Sequence, residues 1–376
     1  MNPSYRIVFY VSGHGFGHTS RAVEVMHAVL DASPGTAITV KTSAPRRFFE
    51  RTLQGRVAVV EMPCDSGMVQ IDSLNVDIGE SLRQARRFQE QLPQLAAAEA
   101  ASLRRHDTTL VVGDIPPLAF AAAAMAGVPS VAIGNFTWDW IYAGYEDDSA
   151  AELARDIRST YQKAGSVLRL PMAGGFDGLE SITRDIPFIA RHSRREPDEV
   201  RRALGLPPRA GDKPLVLLSF GGYGVAGLDT TALAALTSYR FATTDIPGRE
   251  QIKPAPGVLY ISEHELYGGG LRYEDLIRAA DAVVTKPGYG IISEAVANDA
   301  ALLYTSRGHF PEYDVLVREM PKYARAEFIG REDLLRGNWG AALENLLNQP
   351  PPAERPRTDG ARVAAEEILA RGQNLM

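Results

Sequence analysis

The stretch Arg6–His18, with the sequence RIVFYVSGHGFGH, joins an apolar run to a turn that contains three glycines and two histidines. Val, Ile, Phe and Tyr are typical of buried strands, and glycines let the backbone bend sharply. Apolar residues with helical spacing follow over Thr19–Ala32. The stretch therefore predicts a strand, a tight turn and a helix, which together form the repeating unit of a parallel α/β sheet.

The same unit recurs along the chain in two series that are separated by a polar segment rich in Pro and Gly. The length of 376 residues exceeds one ordinary core. We therefore expect two α/β domains, each with a parallel sheet covered on both faces. We expect the first domain at 1–190, a linker at 191–212 and the second domain at 213–353. In the second domain, helices are expected over Asp229–Leu236 and Glu332–Leu347, among others.

The composition is that of an ordinary globular protein. Apolar residues make up 45% of the chain and charged residues 23%, which argues against disorder. The net charge of −6 indicates no basic surplus, so we expect no nucleic-acid partner. The single cysteine, Cys64, fits a reducing compartment, and no run approaches ~20 apolar residues. We expect a cytoplasmic protein without a transmembrane segment; a peripheral contact with the inner membrane surface stays compatible with a lipid substrate.

The turn after the first strand is a candidate site, because ligands of open α/β sheets bind at the carboxyl ends of the strands. It contains His14, Gly15, Phe16 and His18. A histidine with an ordinary pKa of about 6.5 suits a general base that deprotonates a hydroxyl. The alternative is a turn whose histidines only cap the helix. The residues leave open whether His14 or His18 is the base. The spacing, G-x-G-x-G, differs from the dinucleotide fingerprint.

Two further strands of the first series are followed by polar or aromatic residues. Asp114 follows one of them and could orient His18 through a hydrogen bond, cap the next helix, or do both. Asn135, Trp138 and Asp139 follow the next strand. Trp138 is interpreted as an aromatic platform for a sugar, with core packing as the alternative. All three would lie at the carboxyl edge of the first sheet, the edge at which His14 and His18 also lie.

Two glycine-rich turns of the second series suit phosphate groups. Gly221 and Gly222 directly follow a strand, and small residues there let backbone N–H groups hold a phosphate. Gly288, Tyr289 and Gly290 follow another strand and open a helix whose N-terminus can bind a diphosphate. No convincing Asp-x-Asp motif accompanies these turns, so we expect no metal ion.

Charged residues near these turns are expected at the same carboxyl edge of the second sheet. Glu294 lies one turn into the predicted helix and could bind both ribose hydroxyls, or be an ordinary first-turn glutamate. Lys286 could neutralise phosphate charge or stay solvated, and Glu312 could bind sugar hydroxyls or cap a helix. His264 follows a further strand, where a contact with a base or a phosphate is a weaker interpretation.

Together these motifs resemble those of the nucleotide-sugar glycosyltransferases of the GT-B fold, in the branch that includes the N-acetylglucosaminyltransferase of peptidoglycan synthesis. They also resemble the glycosyltransferase-like N-terminal region of plant L-arabinokinases. The matching segments cover most of the chain and are Val8–His18, Asn135–Tyr142, Ile186–Phe188, Arg201–Gly205, Lys286–Ala295 and Arg331–Leu335. The turn Phe220–Gly224 is only a loose match, and these residues hold no kinase phosphate loop, so kinase activity is not expected.

The resemblance implies two facing Rossmann-like domains with a cleft between them. It also implies a C-terminal helix within 354–376 that crosses back to the first domain. By motif match, His18 takes the position of the base, and Asp114 that of the acid that orients it. Glu294 matches the ribose-binding glutamate, and Gly288–Gly290 match the turn over the diphosphate.

The expected function is an inverting, metal-independent glycosyltransferase. It would move a sugar from a nucleotide diphosphate sugar, expected to be a UDP-sugar, to the hydroxyl of a small molecule, a glycan or a lipid. The donor is a substrate, and no cofactor is expected. Two alternatives stay open. One is a nucleotide-sugar epimerase of the same fold, which needs no acceptor, and the other is a non-catalytic nucleotide-sugar-binding protein.

Overall fold

The computed structural model describes residues 5–221, 225, 227–244 and 257–373. Its strands form two parallel sheets and one small antiparallel pair. In chain order the strands are β1 (Arg6–Val11), β2 (Ala37–Thr42), β3 (Ala58–Glu61), β4 (Val69–Gln70), β5 (Val76–Asp77), β6 (Leu110–Asp114), β7 (Ser130–Phe136), β8 (Ser166–Gly174), β9 (Thr183–Asp185), β10 (Leu215–Ser219), β11 (Arg240–Thr244), β12 (Val258–Ile261), β13 (Ala282–Thr285), β14 (Ala301–Tyr304) and β15 (Ala326–Phe328).

Helices connect most of the parallel strands. In chain order they are α1 (Phe16–Ala32), α2 (Arg46–Leu53), α3 (Ile78–Arg105), α4 (Pro117–Ala126), α5 (Trp138–Ala143), α6 (Asp148–Tyr161), α7 (Pro197–Ala203), α8 (Glu263–Gly268), α9 (Tyr273–Ala279), α10 (Tyr289–Asn298), α11 (Pro311–Glu319), α12 (Arg331–Arg336), α13 (Gly340–Asn348) and α14 (Gly360–Gln373). Among the described residues, no helix combines the length and the hydropathy needed to cross a membrane.

The first sheet, with the helices around it, forms the first half of the molecule. Its described strands lie in the order β3-β2-β1-β6-β7-β8-β9. The order reverses between β1 and β6, which pair in parallel with Val11 opposite Asp114. Ligands of doubly wound sheets bind at such a reversal, beyond the carboxyl ends of the strands. The fold therefore places the turn before His18 and the carboxylate of Asp114 side by side at the expected crevice.

The second half repeats this arrangement. Its described strands lie in the order β12-β11-β10-β13-β14-β15, with the reversal between β10 and β13. The last residues of these two strands, Ser219 and Thr285, are paired. The turns that follow them begin at Phe220 and Lys286. Each sheet thus offers one crevice, and the chemistry-bearing turns of the sequence lie at both.

The parallel arrangement follows from how apolar the central strands are. Strands β10 and β13 are buried at every residue, and β1 is buried at every residue after Arg6. Strands with apolar residues on both faces suit a sheet that is covered by helices on both sides. The expectation of an α/β fold with two parallel sheets is confirmed.

Helix α14 returns to the first half after the chain has completed the second sheet. It packs against α1 and β6, and Val363, Ala364 and Ile368 are buried there. The backbone N–H of Gly360 donates to the Phe188 carbonyl at 2.9 Å, which ties the start of the helix to the end of the first half.

Three elements differ from the sequence-based expectation. The predicted helix Asp229–Leu236 is reduced to a short 3-10 segment at Ala232–Ala235. The predicted helix Glu332–Leu347 is broken into α12 and α13, because Gly337 adopts a left-handed conformation with φ 74° and ends α12. The segment 191–212, expected as a solvated linker, contains α7, and its Arg201 is fully buried.

Candidate active site

One large cavity, of about 1140 Å³, lies at the carboxyl edges of both sheets. His18 of the first half and Glu294 of the second half both line it, so the two predicted crevices form a single gap. The predicted site residues in its wall are His14, Gly15, Phe16, His18, Asn135, Gly221, Lys286, Gly288, Tyr289, Gly290, Glu294 and Glu312.

His18 and Asp114 are in direct contact at the first-half edge of the cavity. His18 lies in the first turn of α1 and is 6% exposed, whereas Asp114 ends β6 and is 2% exposed. The two atoms His18 Nδ1 and Asp114 Oδ1 are 2.9 Å apart. The sequence predicted this pairing from the position of each residue after a strand, and the structure brings the two side chains together.

Arg21, which the sequence analysis did not single out, completes this cluster. It follows His18 by one turn of α1, and its Nε donates to Asp114 Oδ2 at 2.8 Å. Its Nη1 donates to Asn135 Oδ1 at 2.8 Å, and its Nη2 lies 2.8 Å from His18 Nδ1. Burial alone would raise the pKa of Asp114, but the Arg21 guanidinium outweighs burial and holds that pKa below its usual range. Asp114 is therefore an ionised carboxylate.

His14 has a different environment from His18. The backbone N–H of Met68 points at His14 Nδ1 at 3.2 Å, and the imidazole ring lies edge-on to Trp138 with centroids 5.4 Å apart. Burial, reinforced by the positive charge of Arg307, lowers the pKa of His14 well below its ordinary value. His14 is therefore neutral. Because Nδ1 accepts a hydrogen bond, the ring proton lies on Nε2.

Four described site residues lie outside the cavity wall: Asp114, which reaches it through His18, and Trp138, Asp139 and His264. Trp138 is 1% exposed and stacks on Tyr142 inside the first half, so the platform interpretation is wrong and the core-packing alternative holds. Asp139 is buried and pairs with Arg158 at 2.9 Å. His264 is exposed on α8. Trp138, Asp139 and His264 were assigned to the site by residue type, but packing places their side chains elsewhere.

Two further expectations concern the phosphate-binding turn at Gly222 and metal binding. Gly222 lies outside the described residues, and its partner in the same turn, Gly221, has φ 71° and lines the cavity. Within 5–221, 225, 227–244 and 257–373, no group of three or more His, Cys, Asp and Glu side chains is arranged to hold a metal ion.

The start of α10 faces α1 across the cavity. Gly288 precedes the helix, and no side chain caps its first turn. The first backbone N–H groups of a helix have no partner within the helix, so these are free for an anionic ligand. A Cβ atom added to Gly290 would lie 3.0 Å from the Cα of Gly17. The two halves thus touch where each helix begins with small residues.

Glu294 is held by an arginine that the sequence analysis placed in the linker. Arg191 Nε donates to Glu294 Oε1 at 2.6 Å, and its Nη1 lies 3.5 Å from Glu274 Oε2. Burial would lower the pKa of Arg191, but the carboxylates of Glu294 and Glu274 outweigh it and raise the pKa. The guanidinium therefore stays charged and fixes one oxygen of Glu294.

Glu312 bridges the two halves of the molecule. Asn135 Nδ2 of the first half donates to Glu312 Oε1 at 2.8 Å, and Arg307 Nη1 donates to Glu312 Oε2 at 3.0 Å. Since Asn135 also accepts from Arg21, a continuous chain of polar contacts runs from His18 to Arg307. Glu312 is thus occupied by this chain of contacts, and no side chain caps α11.

The two strand orders, each reversing at a shared cavity, match a known architecture. A calicheamicin glycosyltransferase superposes with a TM-score of 0.62 at 15% identity, covering 98% of this chain and 95% of that one. The chain has the GT-B fold. MurG of Acinetobacter baumannii gives a TM-score of 0.54 at 11% identity, covering 98% of this chain and 100% of the other. A UDP-glucosyltransferase from Polygonum tinctorium gives a TM-score of 0.59 at 16% identity, covering 99% and 95%.

Sequence relatives agree with this GT-B assignment. An L-arabinokinase of Arabidopsis thaliana is 30% identical over 365 residues, which are 95% of this chain and 33% of the relative. The chain therefore spans about a third of the length of that kinase. An uncharacterized glycosyltransferase of Methanopyrus kandleri is 23% identical, covering 73% of this chain and 78% of the relative. No protein-family model matches. The expected resemblance to GT-B glycosyltransferases is confirmed in the fold.

Proposed function

We propose that this protein is an inverting, metal-independent glycosyltransferase that moves a sugar from a UDP-sugar to an acceptor hydroxyl. The first half would bind the acceptor and the second half the donor. The observation that carries the proposal is the single cavity in which His18, paired with Asp114, faces the uncapped start of α10. A base and a diphosphate site across one gap suit attack on the anomeric carbon from the side opposite the leaving group.

His18 would be the general base. An ionised carboxylate can only accept hydrogen bonds, so the 2.9 Å contact with Asp114 favours the proton on His18 Nδ1. The lone pair of Nε2 is then free to take the acceptor's proton as the new bond forms. In the other tautomer Nδ1 would accept from Arg21 and place its lone pair against the negative oxygen of Asp114. His14 is less suited, because its Nε2 carries a proton.

The donor would bind along the second-half edge. The diphosphate's growing charge would meet the free N–H groups at the start of α10 and the turn at Gly221. Glu294 would take the ribose hydroxyls with its free oxygen while Arg191 holds the other in place. The contacts between Asn135 and Glu312 and between Gly17 and Gly290 would close the gap over both substrates and limit hydrolysis.

The test compares His18→Ala with the wild type in UDP release from UDP-sugars, offered with a panel of hydroxyl acceptors. Turnover should fall by about 10²–10⁴-fold, because a general base contributes that much. UDP affinity should be unchanged. His264→Ala, an exposed histidine outside the cavity, is the matched control and should behave as the wild type. Near-normal turnover of His18→Ala removes it from the role of base.

Two further arms of the same assay address the finer parts of the proposal. Turnover should survive EDTA, since the charge on the leaving group is met by backbone N–H groups. Incubation with donor alone should leave the sugar's configuration unchanged. An epimerised nucleotide sugar in that arm would replace transfer with epimerisation, and tight UDP-sugar binding without turnover of any acceptor would indicate a binding protein. The cytoplasmic location stays a prediction.

A further inference from the structure

Lys286 is a cation in the cavity wall without a counter-ion. It directly follows β13 and lines the cavity. Among the described residues, its ammonium makes no ion pair or hydrogen bond; the neighbouring hydroxyl of Thr285 donates to the backbone carbonyls of Ser219 and Lys286 and not to this side chain. The Lys286 side chain is half-buried, and a charge held there without a partner is unfavourable. Burial, with the nearby positive charge of Arg307, lowers the pKa of Lys286 to about 7.

None of the described charged groups near Lys286 forms an ion pair with its ammonium. Arg307, in the loop after β14, is a second cation, and its guanidinium lies over the Phe310 ring at 3.9 Å. Two carboxylates, Glu312 and Asp72, attract Lys286 from further away. The oxygens of Glu312 are taken by Arg307 and Asn135. Asp72 Oδ1 accepts from the backbone N–H groups of the two residues at 74 and 75.

Arg307 is tied to the first half of the molecule. Its Nη1 donates to Glu312 Oε2, and Glu312 Oε1 accepts from Asn135 Nδ2. Lys286 and Arg307 line the same cavity as His14, and the positive charges of both lower the pKa of His14. The two cations therefore border the part of the cavity next to His14 and Asn135, where the sugar and the acceptor would meet in the proposed function.

We propose that Lys286 and Arg307 form a second anion-binding subsite, distinct from the diphosphate site, for a carboxylate or phosphate group carried by one of the two substrates. The inference rests on the proposed function, because that function defines which substrates meet there. The anionic group belongs either to the transferred sugar, as in a uronic acid, or to a phosphorylated acceptor. In both cases the anion supplies the counter-charge that the Lys286 ammonium lacks among the described residues.

The subsite has a definite pH dependence. The Lys286 ammonium is charged below pH 7 and increasingly neutral above it. A bound anion stabilises the charged form, so binding is strongest at low pH and weakens as pH rises through the pKa. At pH 8 binding is therefore accompanied by proton uptake. Arg307 stays charged throughout and contributes no such dependence.

Calorimetric titration with matched probes tests this inference. UDP, UDP-glucose and UDP-glucuronate are titrated at pH 6.5 and 8.5 into the wild type, Lys286→Met and Lys286→Arg. Glycerol and glycerol 3-phosphate are then titrated into the UDP-saturated proteins. Lys163→Gln, which removes an exposed lysine outside the cavity, is the matched control. Lys286→Arg keeps the charge and remains informative if Lys286→Met does not fold.

A hydrogen bond to a charged group corresponds to roughly a 10- to 100-fold difference in Kd. If the sugar carries the anion, the wild type prefers UDP-glucuronate to UDP-glucose by that factor. If the acceptor carries it, glycerol 3-phosphate binds and glycerol does not. In either case Lys286→Met loses the preference, Lys286→Arg and Lys163→Gln keep it, and UDP affinity is unchanged.

Two results overturn the subsite. In one, Lys286→Met weakens UDP itself as much as the larger probes, which would make Lys286 a diphosphate ligand. In the other, the wild type binds UDP but distinguishes neither pair of probes. If UDP fails to bind the wild type, the proposed function fails first and the subsite fails with it. The UDP titration thus separates the two failures.

Discussion

At the residue scale, Arg21 sets the chemistry available to His18. Its guanidinium contacts both carboxylate oxygens of Asp114 and lowers the pKa of that carboxyl, although burial alone would raise it. In the proposed mechanism an ionised Asp114 would hold the proton on His18 Nδ1 and leave the lone pair of Nε2 for the acceptor. Arg21 lines the cavity but is only 4% exposed, and its guanidinium contacts Asp114, Asn135 and His18. Its contribution to activity would therefore be that of a positioning residue.

Arg21→Met is expected to destabilise the protein by about 3–5 kcal/mol, because it leaves the Asp114 charge buried without its partner. The double variant Arg21→Met with Asp114→Asn should recover part of this loss, since no uncompensated charge remains. Urea denaturation followed by circular dichroism measures both. The pKa of Asp114 is depressed in the fold, so the wild-type pair contributes its full stability above a pH of about 4 and loses it as pH falls.

The interaction between Arg21 and Asp114 would be contradicted if the losses in the free energy of unfolding were simply additive. If the double variant is destabilised by the sum of the two single variants, the side chains do not interact and the positioning role of Arg21 is lost. The exposed pair formed by Arg46 and Glu50 offers a control, since removing either partner of a solvated ion pair changes stability by less than about 1 kcal/mol.

The sequence located the histidine turn and Asp114 because both lie at strand ends, which meet at one edge of a parallel sheet, and the family resemblance selected His18 as the base. It could not single out Arg21 or Arg191, since arginine in a helix or a polar segment is usually solvated. A weak signal existed, because Arg21 lies three residues after His18 and so shares its helix face. Trp138 was misplaced for the opposite reason: its residue type suits a sugar, but its burial depends on the whole core.

At the scale of elements, the starts of α1 and α10 form the contact between the two halves. Gly290→Ala would place a Cβ atom 3.0 Å from the Cα of Gly17, which forces a backbone to shift. Such overpacking costs about 1–3 kcal/mol, so UDP should bind roughly tenfold more weakly. Alanine favours a helix over glycine by about 1 kcal/mol, which offsets part of this cost, so the free energy of unfolding should fall by no more than about 2 kcal/mol. Calorimetric titration and thermal unfolding separate these two effects.

Gly17→Ala is the matched control for this contact. Its Cβ atom would lie 3.7 Å from the backbone nitrogen of Gly290, which is an ordinary van der Waals distance. UDP affinity close to that of the wild type is expected. Equal UDP affinities for Gly290→Ala and the wild type would show that the approach of α10 to α1 is not needed for donor binding.

The elements themselves were largely predictable, and their order in the sheets was not. The apolar run from Arg6 and the helical spacing up to Ala32 predicted β1 and α1, whereas strand order depends on pairings between distant segments. The helix prediction was wrong where a single glycine interrupts the helical spacing of apolar residues, as at Gly337, which ends α12 before α13 begins. The segment 191–212 contains α7 and the buried Arg201, which its polar composition does not reveal.

At the scale of the whole molecule, α14 joins the end of the chain to the first half. Ile368 of this helix is completely buried, so Ile368→Ala should cost about 2–5 kcal/mol of stability. Arg371→Ala on the same helix removes an exposed side chain and should stay within about 0.5 kcal/mol of the wild type. Because α14 packs on α1 and β6 rather than on the second sheet, UDP affinity of the folded Ile368→Ala variant should be unchanged. Chemical denaturation with and without UDP measures both quantities. Equal stability of the two variants would mean that α14 is not docked on the first half in solution, and the return of the chain across the fold would have to be abandoned.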